Sequence, residues 1–379
     1  MGKVSLKDYV LYFLKLGTVG FGGPIALVGR MQKDLVEERG WITPETYKEG
    51  LTLSQLSPGP LAAQLAMYLG WSQGGVLGAT LVGLAFVLLS FLMVVGFAIL
   101  YVHYGGLPWI QKIFYGIGAV VISIIIQGAT KLIRKNIGKD WLLIGLWAIS
   151  AAVTILTESE KLSVFLVSGL ISVLIKAPPS FKAKTAMFSL IPVWLLAGIH
   201  GPGDSSLLKD IGLFFAKSGV SVFGSGLAIV PFLYGGVVQQ FHWLDERQFL
   251  DAVAVAMITP GPVVITVGFI GYLVSGFLGA VVAAAGTFLP CYLFVVLLAP
   301  QFHRYGQNPR VKAFVDGVTA SAVGAITGAA FILGKRAIVD IPTLALLAVG
   351  CFVLFRVKKV PEPVLILLGG AAGYVLKSF

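Results

Sequence analysis

The sequence predicts an all-α polytopic membrane protein made of two homologous, inverted repeats. Each repeat is expected to hold about six apolar spans with discontinuous helices, about 13 spans in total. Three observations predict this. Hydrophobic residues make up 57% of the 379 positions and charged residues only 12%, against roughly 25% charged in soluble domains. Apolar windows of roughly 17–25 residues, the length a bilayer core demands, recur from end to end. The chain also repeats itself at a shift of 202 positions.

The repeat organises everything else. Leu6-Lys7-Asp8 matches Leu208-Lys209-Asp210, Lys15 matches Lys217, Gly17 matches Gly219, and Phe21-Gly22 matches Phe223-Gly224. Trp41 falls on Trp243 and Pro58-Gly59-Pro60 on Pro260-Gly261-Pro262; one deletion later, Gly116 meets Gly317. Register held over so long a stretch marks a duplication. Residues 1–178 form the first repeat, 179–205 a linker with room for an extra span at 186–199, and 206–379 the second repeat.

Spans of the first repeat fall at 6–29, 50–70, 75–103, 112–133, 141–156 and 161–176. Those of the second fall at 208–236, 250–271, 276–300, 311–333, 341–355 and 362–378. If the linker crosses, the repeats are inverted. Loop charge agrees: Lys131, Arg134, Lys135 and Lys139 outnumber Lys335 and Arg336, whereas Arg356, Lys358 and Lys359 outnumber Lys161. The loop from Arg30 to Lys48 is the misfit, basic on the side predicted to be external. The net charge of +11 thus reads as topology control, with a cytoplasmic N-terminus in a prokaryotic inner membrane, and not as nucleic-acid binding.

Within the second span, Ser57-Pro58-Gly59-Pro60 breaks the helix, either at membrane depth or in a re-entrant turn, and Thr259-Pro260-Gly261-Pro262 does the same in the second copy. Ser57 and Thr259 read as N-caps followed by proline at the first helical position, so that a half-helix begins at depth. Such an end offers unpaired N–H donors to an anion, and Gly59 and Gly261 permit close backbone approach. The plainer alternative is a kink that merely shapes a packed helix.

Lys15 and Lys217 lie about two turns before the breakers Gly22-Gly23-Pro24 and Gly224-Ser225-Gly226. Facing inward, they would add two ammonium groups to a site for a divalent oxyanion; facing outward, they would snorkel to the interface. Ser54, Gln55, Gln64 and Thr266 could supply neutral hydrogen bonds on the same segments. Asp316 is the one carboxylate deep in a span and is the proton-coupling candidate, with Tyr115 as its counterpart; Glu37, Glu49 and Asp251 fall at span edges.

Small-residue pairs such as Gly74–Gly78, Gly324–Gly328 and Gly369–Gly373 suit close helix packing. Scattered histidines, two lone cysteines and the lack of a Walker loop leave no metal site, cofactor, disulfide or ATPase to expect. The protein is therefore read as a secondary transporter and not an enzyme, with lipid and a small anion as partners and a homodimer left open. A sulfate or other small-anion permease, and a non-transporting scaffold or scramblase, remain alternatives.

The stretches GFGGPIALVGRMQKDLVEERGWI, LSQLSPGPLAAQLAMYLGW, VFGSGLAIVPFLYGGVV, ITPGPVVITVGFIGYLVSG and GTFLPCYLF resemble the chromate transporter family along essentially the whole chain. The resemblance implies chromate export driven by the proton motive force, with sulfate as the chemical analogue. It singles out Phe21, Gly22, Gly23, Pro24, Trp41, Gln55, Pro58, Gly59 and Pro60, then Phe223, Gly224, Ser225, Gly226, Trp243, Thr259, Pro260, Gly261 and Pro262. Met257 replaces the glutamine usual in the second-half motif.

Overall fold

The computed structural model describes residues 4–20, 23–104, 108–157, 162–178, 205–222, 226, 229–301, 308–357 and 360–378. The chain is helical throughout these segments, and the helices follow from local signals. Helix α1 (Leu6–Val19) starts where Ser5 Oγ accepts the Asp8 N–H at 3.1 Å. Helix α2 (Gly23–Met31) runs into a π-helical segment, Gln32–Glu38. This arm folds back along α1, because Tyr12 Oη donates to Asp34 at 3.1 Å and the Trp41 ring packs 6.0 Å from that of Tyr9. The stretch 6–29, expected as one span, is therefore two arms.

Helix α3 (Pro44–Leu56) starts on Thr43 and stops at Ser57. Helix α4 (Leu61–Tyr104) is 44 residues long, about 66 Å if straight and twice what a bilayer core needs. It is not straight. Gly74 and Gly75 leave helical geometry, Gly75 at φ 59°, and the chain doubles back so that Gly70 and Gly78 touch backbone to backbone. The first limb (residues 61–73) packs against α3: Gly50 abuts Tyr68, and Tyr68 Oη donates to Glu49 at 3.1 Å. Of the two readings of the stretch 50–70, the structure has the turn: a hairpin whose tip is Ser57–Pro60. Helix α5 (Pro108–Leu132) continues through a π segment, Ile133–Ile137, followed by α6 (Trp141–Thr157) and α7 (Leu162–Lys176).

The second repeat follows the same path. Helix α8 (Ser205–Ser221) precedes α9 (Ile229–Leu233) and its π segment Tyr234–Gln240. Helix α10 (Glu246–Ile258) starts on a capping box between Asp245 and Gln248, at the position equivalent to Thr43. Helix α11 (Thr266–Leu298) doubles back at Ser275 and Gly276, the latter at φ 61°, as α4 does at Gly74 and Gly75. Helices α12 (Pro309–Ala337), α13 (Ile341–Arg356) and α14 (Glu362–Leu376) complete the fold. The linker span expected at 186–199 lies outside the described residues.

The repeats exchange their last helices. Gly317 of α12 sits against Ser168 and Gly169 of α7, and Gly324 and Gly328 of α12 lie on α6 at Trp147 and Thr154. In the reciprocal contact, Gly116 of α5 meets Gly369 and Gly373 of α14. These glycines bring helix backbones together, the packing expected of small residues in an apolar medium. Gly74, read as part of such a pair, is instead the turn. The long limbs of α4 and α11 also touch: Thr80 and Tyr292 share a 2.8 Å hydrogen bond, and Phe91 meets Phe277 at 6.4 Å. As α4 advances from residue 80 to 91, its partners retreat from 292 to 277, so the limbs are antiparallel.

Four helical stretches among the described residues, Leu61–Tyr104, Trp109–Ile137, Val263–Leu298 and Pro309–Ala337, are long and apolar enough to cross a membrane. Leu77, Leu84, Phe277 and Leu297 stand exposed on them, as lipid-facing side chains do.

The doubled-back limbs give a stability prediction. A Cβ on Gly70 would lie 2.5 Å from Gly78 O and 2.8 Å from Val82 Cβ, whereas one on Gly96 would meet nothing within 4 Å. Gly70→Ala should cost about 1–3 kcal/mol through overpacking, and Gly96→Ala should be neutral or better. Thermal unfolding of the detergent-solubilised variants checks both.

Candidate functional site

The two breaks are built by proline. Ser57 (φ −98°, ψ 146°) and Thr259 (φ −76°, ψ 133°) are extended, as a residue before proline must be. Each ends the helix before it instead of starting the next. Ser57 N–H and Oγ both donate to Leu53 O, at 2.9 and 2.6 Å, and Thr259 N–H and Oγ1 both donate to Val255 O, at 3.0 and 2.7 Å. The N-cap reading of Ser57 and Thr259 is corrected: they are C-terminal residues whose hydroxyls bond back four positions. Pro58 and Pro260 therefore do not open a helix. Pro60 and Pro262 stand at the N-cap positions instead, ahead of Leu61 and of the short 3-10 turn Val263–Ile265.

Each break locks into the other repeat. Gly59 N–H donates to Val222 O at 2.6 Å, just past α8, and Gly261 N–H donates to Gly20 O at 2.8 Å, just past α1. These are equivalent positions, so the two bonds form a reciprocal pair. Both glycines hold positive φ, 141° and 105°, which L side chains rarely adopt. Behind them, Ser90 Oγ of α4 donates to Gly17 O at 2.9 Å, and its equivalent Cys291 in α11 points its Sγ at Thr287 O, 3.2 Å away. A Cβ on Gly59 would sit 2.8 Å from Cys291 Sγ, and one on Gly261 would collide with Ser90 Oγ. The close approach expected of these glycines is real, but what approaches is the partner repeat's backbone.

Polar groups at the crossing are few and buried. Gln64 is 0% exposed; its Nε2 donates back to Pro58 O at 2.6 Å, while its Oε1 has no hydrogen-bond partner. The α4 ladder begins with Gln64 N–H bonding Pro60 O at 3.0 Å, so the amides of Leu61, Ala62 and Ala63 precede it and face the break. Thr266, just past the second break, donates to Val263 O at 2.7 Å, and Ser54 donates to Gly50 O at 2.7 Å. Gln55 is half-buried on the last turn of α3, and Met257, at the matching position of α10, is buried.

The lysines are not part of this crossing. Lys15 and Lys217 are exposed, whereas the buried face of α1 is Tyr9, Tyr12, Phe13, Leu16 and Gly17. The inward-facing reading is corrected in favour of snorkelling, because the helix period that buries Phe13 and Leu16 turns Lys15 outward. Gly23 and Pro24 open α2, whereas Phe21, Gly22, Phe223, Gly224 and Ser225 lie outside the described residues. Asp316 stands on α12 within electrostatic reach of Lys176, Lys312 and Asp140. There, Lys176 donates to Asp140 at 2.6 Å and holds its carboxyl below the usual carboxylate range.

Sequence reasoning missed a cavity of about 580 Å³ at the outer ends of α5, α10 and α12, lined by Lys112, Tyr115, Arg247, Asp251, Arg336 and Lys377 among others. Asp251 had been placed at a span edge. It is 5% exposed and accepts from Tyr101 Oη at 2.7 Å. The only forewarning in the sequence was its equivalence to Glu49. No group of three or more potential metal ligands occurs among the described residues.

Comparison with known proteins agrees with the duplication. The family model described as "Chromate transporter" matches residues 7–175 and again 209–374. The chain is 58% identical to the chromate transport protein of Cupriavidus metallidurans over 370 residues, 97% of this chain and 92% of that protein. It is 53% identical to a probable chromate transport protein of Synechococcus elongatus over 378 residues, 99% of this chain and 96% of that one. The chromate transport protein of Pseudomonas aeruginosa is 29% identical over 393 residues, 98% of this chain and 93% of its own length. No solved structure matches the chain. A repeat matched twice by one model, on helices apolar enough to cross a bilayer, makes this multi-pass membrane protein a member of the chromate transporter family, a family of transport proteins and not of enzymes.

Proposed function

We propose that this protein exports chromate, a divalent tetrahedral oxyanion resembling sulfate, from the cytoplasm, driven by the proton motive force. The anion passes between the two Pro-Gly-Pro breaks at the interface of inverted repeats. The observation that carries the reading is the reciprocal pair of bonds, Gly59 to Val222 and Gly261 to Gly20. Two equivalent latches related by inversion suit alternating access, because releasing one opens the crossing toward one face and releasing the other opens it toward the opposite face.

Inversion is supported by the antiparallel α4 and α11 limbs, tied at Thr80 and Tyr292. Orientation is supported by charge. With α1–α2 and α3–α4 folded as hairpins, the Arg30–Lys48 loop returns to the side of residue 5, and its basic residues cease to be a misfit. Lys33, Arg39, Lys48, Arg134, Lys135 and Arg356 then share one end of the molecule, the cytoplasmic end by the positive-inside rule. The repeats proper are 1–178 and 206–379, with 179–205 joining them.

At the crossing, the amides of Leu61 to Ala63 and the carboxamide of Gln64 are the anion's first contacts, since the hydroxyls of Ser57, Thr259 and Thr266 already spend their protons on backbone carbonyls. Gln55 lies on the same hairpin. Its counterpart Met257 cannot hydrogen-bond in the same way, so the polar contacts come mainly from the first repeat.

Everted membrane vesicles energised by respiration should accumulate labelled chromate, and excess sulfate should compete. Accumulation that survives collapse of the proton gradient would sink the coupled mechanism. Gln64→Leu should lower accumulation about tenfold, the loss of roughly one hydrogen bond, at unchanged membrane abundance on a blot. For topology, Glu38→Cys and its equivalent Gln240→Cys, both exposed positions, go into a background lacking Cys291 and Cys351. An impermeant thiol reagent should label them from opposite faces of the membrane; labelling from one face would refute inversion.

A further inference from the structure

We propose that Asp251 is the carboxylate that carries the coupling proton, in a cationic cavity apart from the two breaks. The proposal rests on the proton-driven reading above and names the group that reading leaves unassigned. Asp316, the carboxylate expected in that role from sequence, is only half-buried on α12 near Lys176 and Lys312, and it does not line this cavity. Asp251 is differently placed. It is 5% exposed, and its hydrogen bond in the structure is the 2.7 Å contact from Tyr101 Oη. A buried carboxylate with so few donors is poorly compensated when charged. An ionisable group buried inside a membrane protein is a functional candidate by default, and proton relay is one of its recurring roles.

Position gives it a route and a lever. The route is the cavity of about 580 Å³ that Asp251 lines and through which water reaches it. The proton comes from that water onto a carboxylate oxygen and returns to water later; no electrons move. The lever is the Tyr101 bond. Tyr101 belongs to the long limb of α4, in the first repeat, while Asp251 belongs to α10, in the second, two turns ahead of the Thr259–Pro262 break. A hydroxyl bonds an ionised carboxylate more strongly than a neutral one. Gaining a proton therefore loosens a tie between the repeats close to one of the two latches.

The surrounding charges are consistent with a group that changes state. On α10 itself lie Glu246 and Arg247, the latter one turn before Asp251, with Asp245 at the cap. From α5 come Lys112 and Tyr115, from α12 Arg336, and after α14 Lys377. Arg336 pairs with Glu246 and stacks 5.0 Å from the Tyr234 ring on the π segment after α9. Lys377 lies 4.7 Å from the Tyr115 ring, and Lys112 donates to Ser378 at 3.2 Å. From α11 the neighbour is Phe269, packed on Tyr101 at 5.5 Å. The equivalent position in the first repeat, Glu49, is only half-buried and accepts from Tyr68.

The test uses the full-length protein in proteoliposomes, reading labelled chromate and internal pH together. Wild type should accumulate chromate under an imposed proton gradient and also exchange labelled for unlabelled chromate without one. Asp251→Asn should lose gradient-driven accumulation and the accompanying proton flux while exchange continues. Tyr101→Phe should keep both but move the pH of half-maximal accumulation upward by about one unit, the worth of one hydrogen bond to a charged group. Asp251→Asn accumulating chromate with the wild-type pH profile overturns the proposal. So does loss of exchange together with accumulation, which marks a structural role. Should that variant not reach the membrane, an unshifted Tyr101→Phe profile overturns it alone. Wild type that exchanges chromate but ignores the proton gradient defeats the coupled reading and this proposal with it, whereas absence of any chromate flux defeats the transport reading itself.

Discussion

Everything in this fold depends on where two backbone amides find their acceptors. A chain that breaks its helices in an apolar medium must satisfy the freed N–H and C=O groups internally, at a cost of several kcal/mol for each one left bare. Here the two breaks satisfy each other's neighbours: Gly59 serves the carbonyl that α8 leaves open at Val222, and Gly261 serves the one that α1 leaves open at Gly20. Neither repeat can complete its own hydrogen bonds. The duplication is thus a structural necessity as much as a record of descent, and the exchange of α6–α7 and α13–α14 onto the other repeat's long helix extends the same dependence over the rest of the molecule.

Side chains diverge where the backbone does not. Ser90 matches Cys291 in repeat register, Gln55 matches Met257, Glu49 matches Asp251 and Tyr115 matches Asp316. Each pair occupies equivalent places, yet the members differ in what they can donate, accept or ionise or, for the two carboxylates, in burial. Symmetry therefore governs how the molecule is held together, while asymmetry sets the polar groups each repeat brings to the crossing. Polar contact at the crossing belongs mostly to the first repeat, through Gln64 and the amides behind Pro60. The buried carboxylate beside the cavity belongs to the second.

The sequence showed the repeat, the apolar class and the place of the breaks, because composition, period and Pro-Gly-Pro are local signals. It did not show their direction. Ser57 before Pro58 looks like a helix start, and only the bond from its Oγ to Leu53 O reveals an ending. Residues 50–70 have the length of one crossing, and what folds them into a hairpin is the contact of Gly50 with Tyr68, a tertiary fact. Lys15 was ambiguous for the same reason: which side of α1 faces inward is decided by Phe13 and Leu16 packing against α4. Asp251 was hidden more deeply, since its burial needs α4 and α5 from the other repeat to arrive beside it.

A latch made from backbone has a further consequence. Its two bonds are chemically identical, amide to carbonyl, so the two states reached by opening one or the other differ little in intrinsic energy. A ligand moves such an equilibrium only through its differential affinity, and going from 1:99 to 99:1 takes about 5.5 kcal/mol. A divalent anion held by a few neutral donors falls short of that unaided, because each contributes roughly 1 kcal/mol net. A second charge that changes at one latch and not the other can supply the remainder. In the proposed cycle the two breaks, being equivalent, do not distinguish one face of the membrane from the other; a position where the repeats differ does. The Glu49 and Asp251 pair is such a position: two carboxylates in equivalent places, one half-buried and the other buried against Tyr101 two turns ahead of a break.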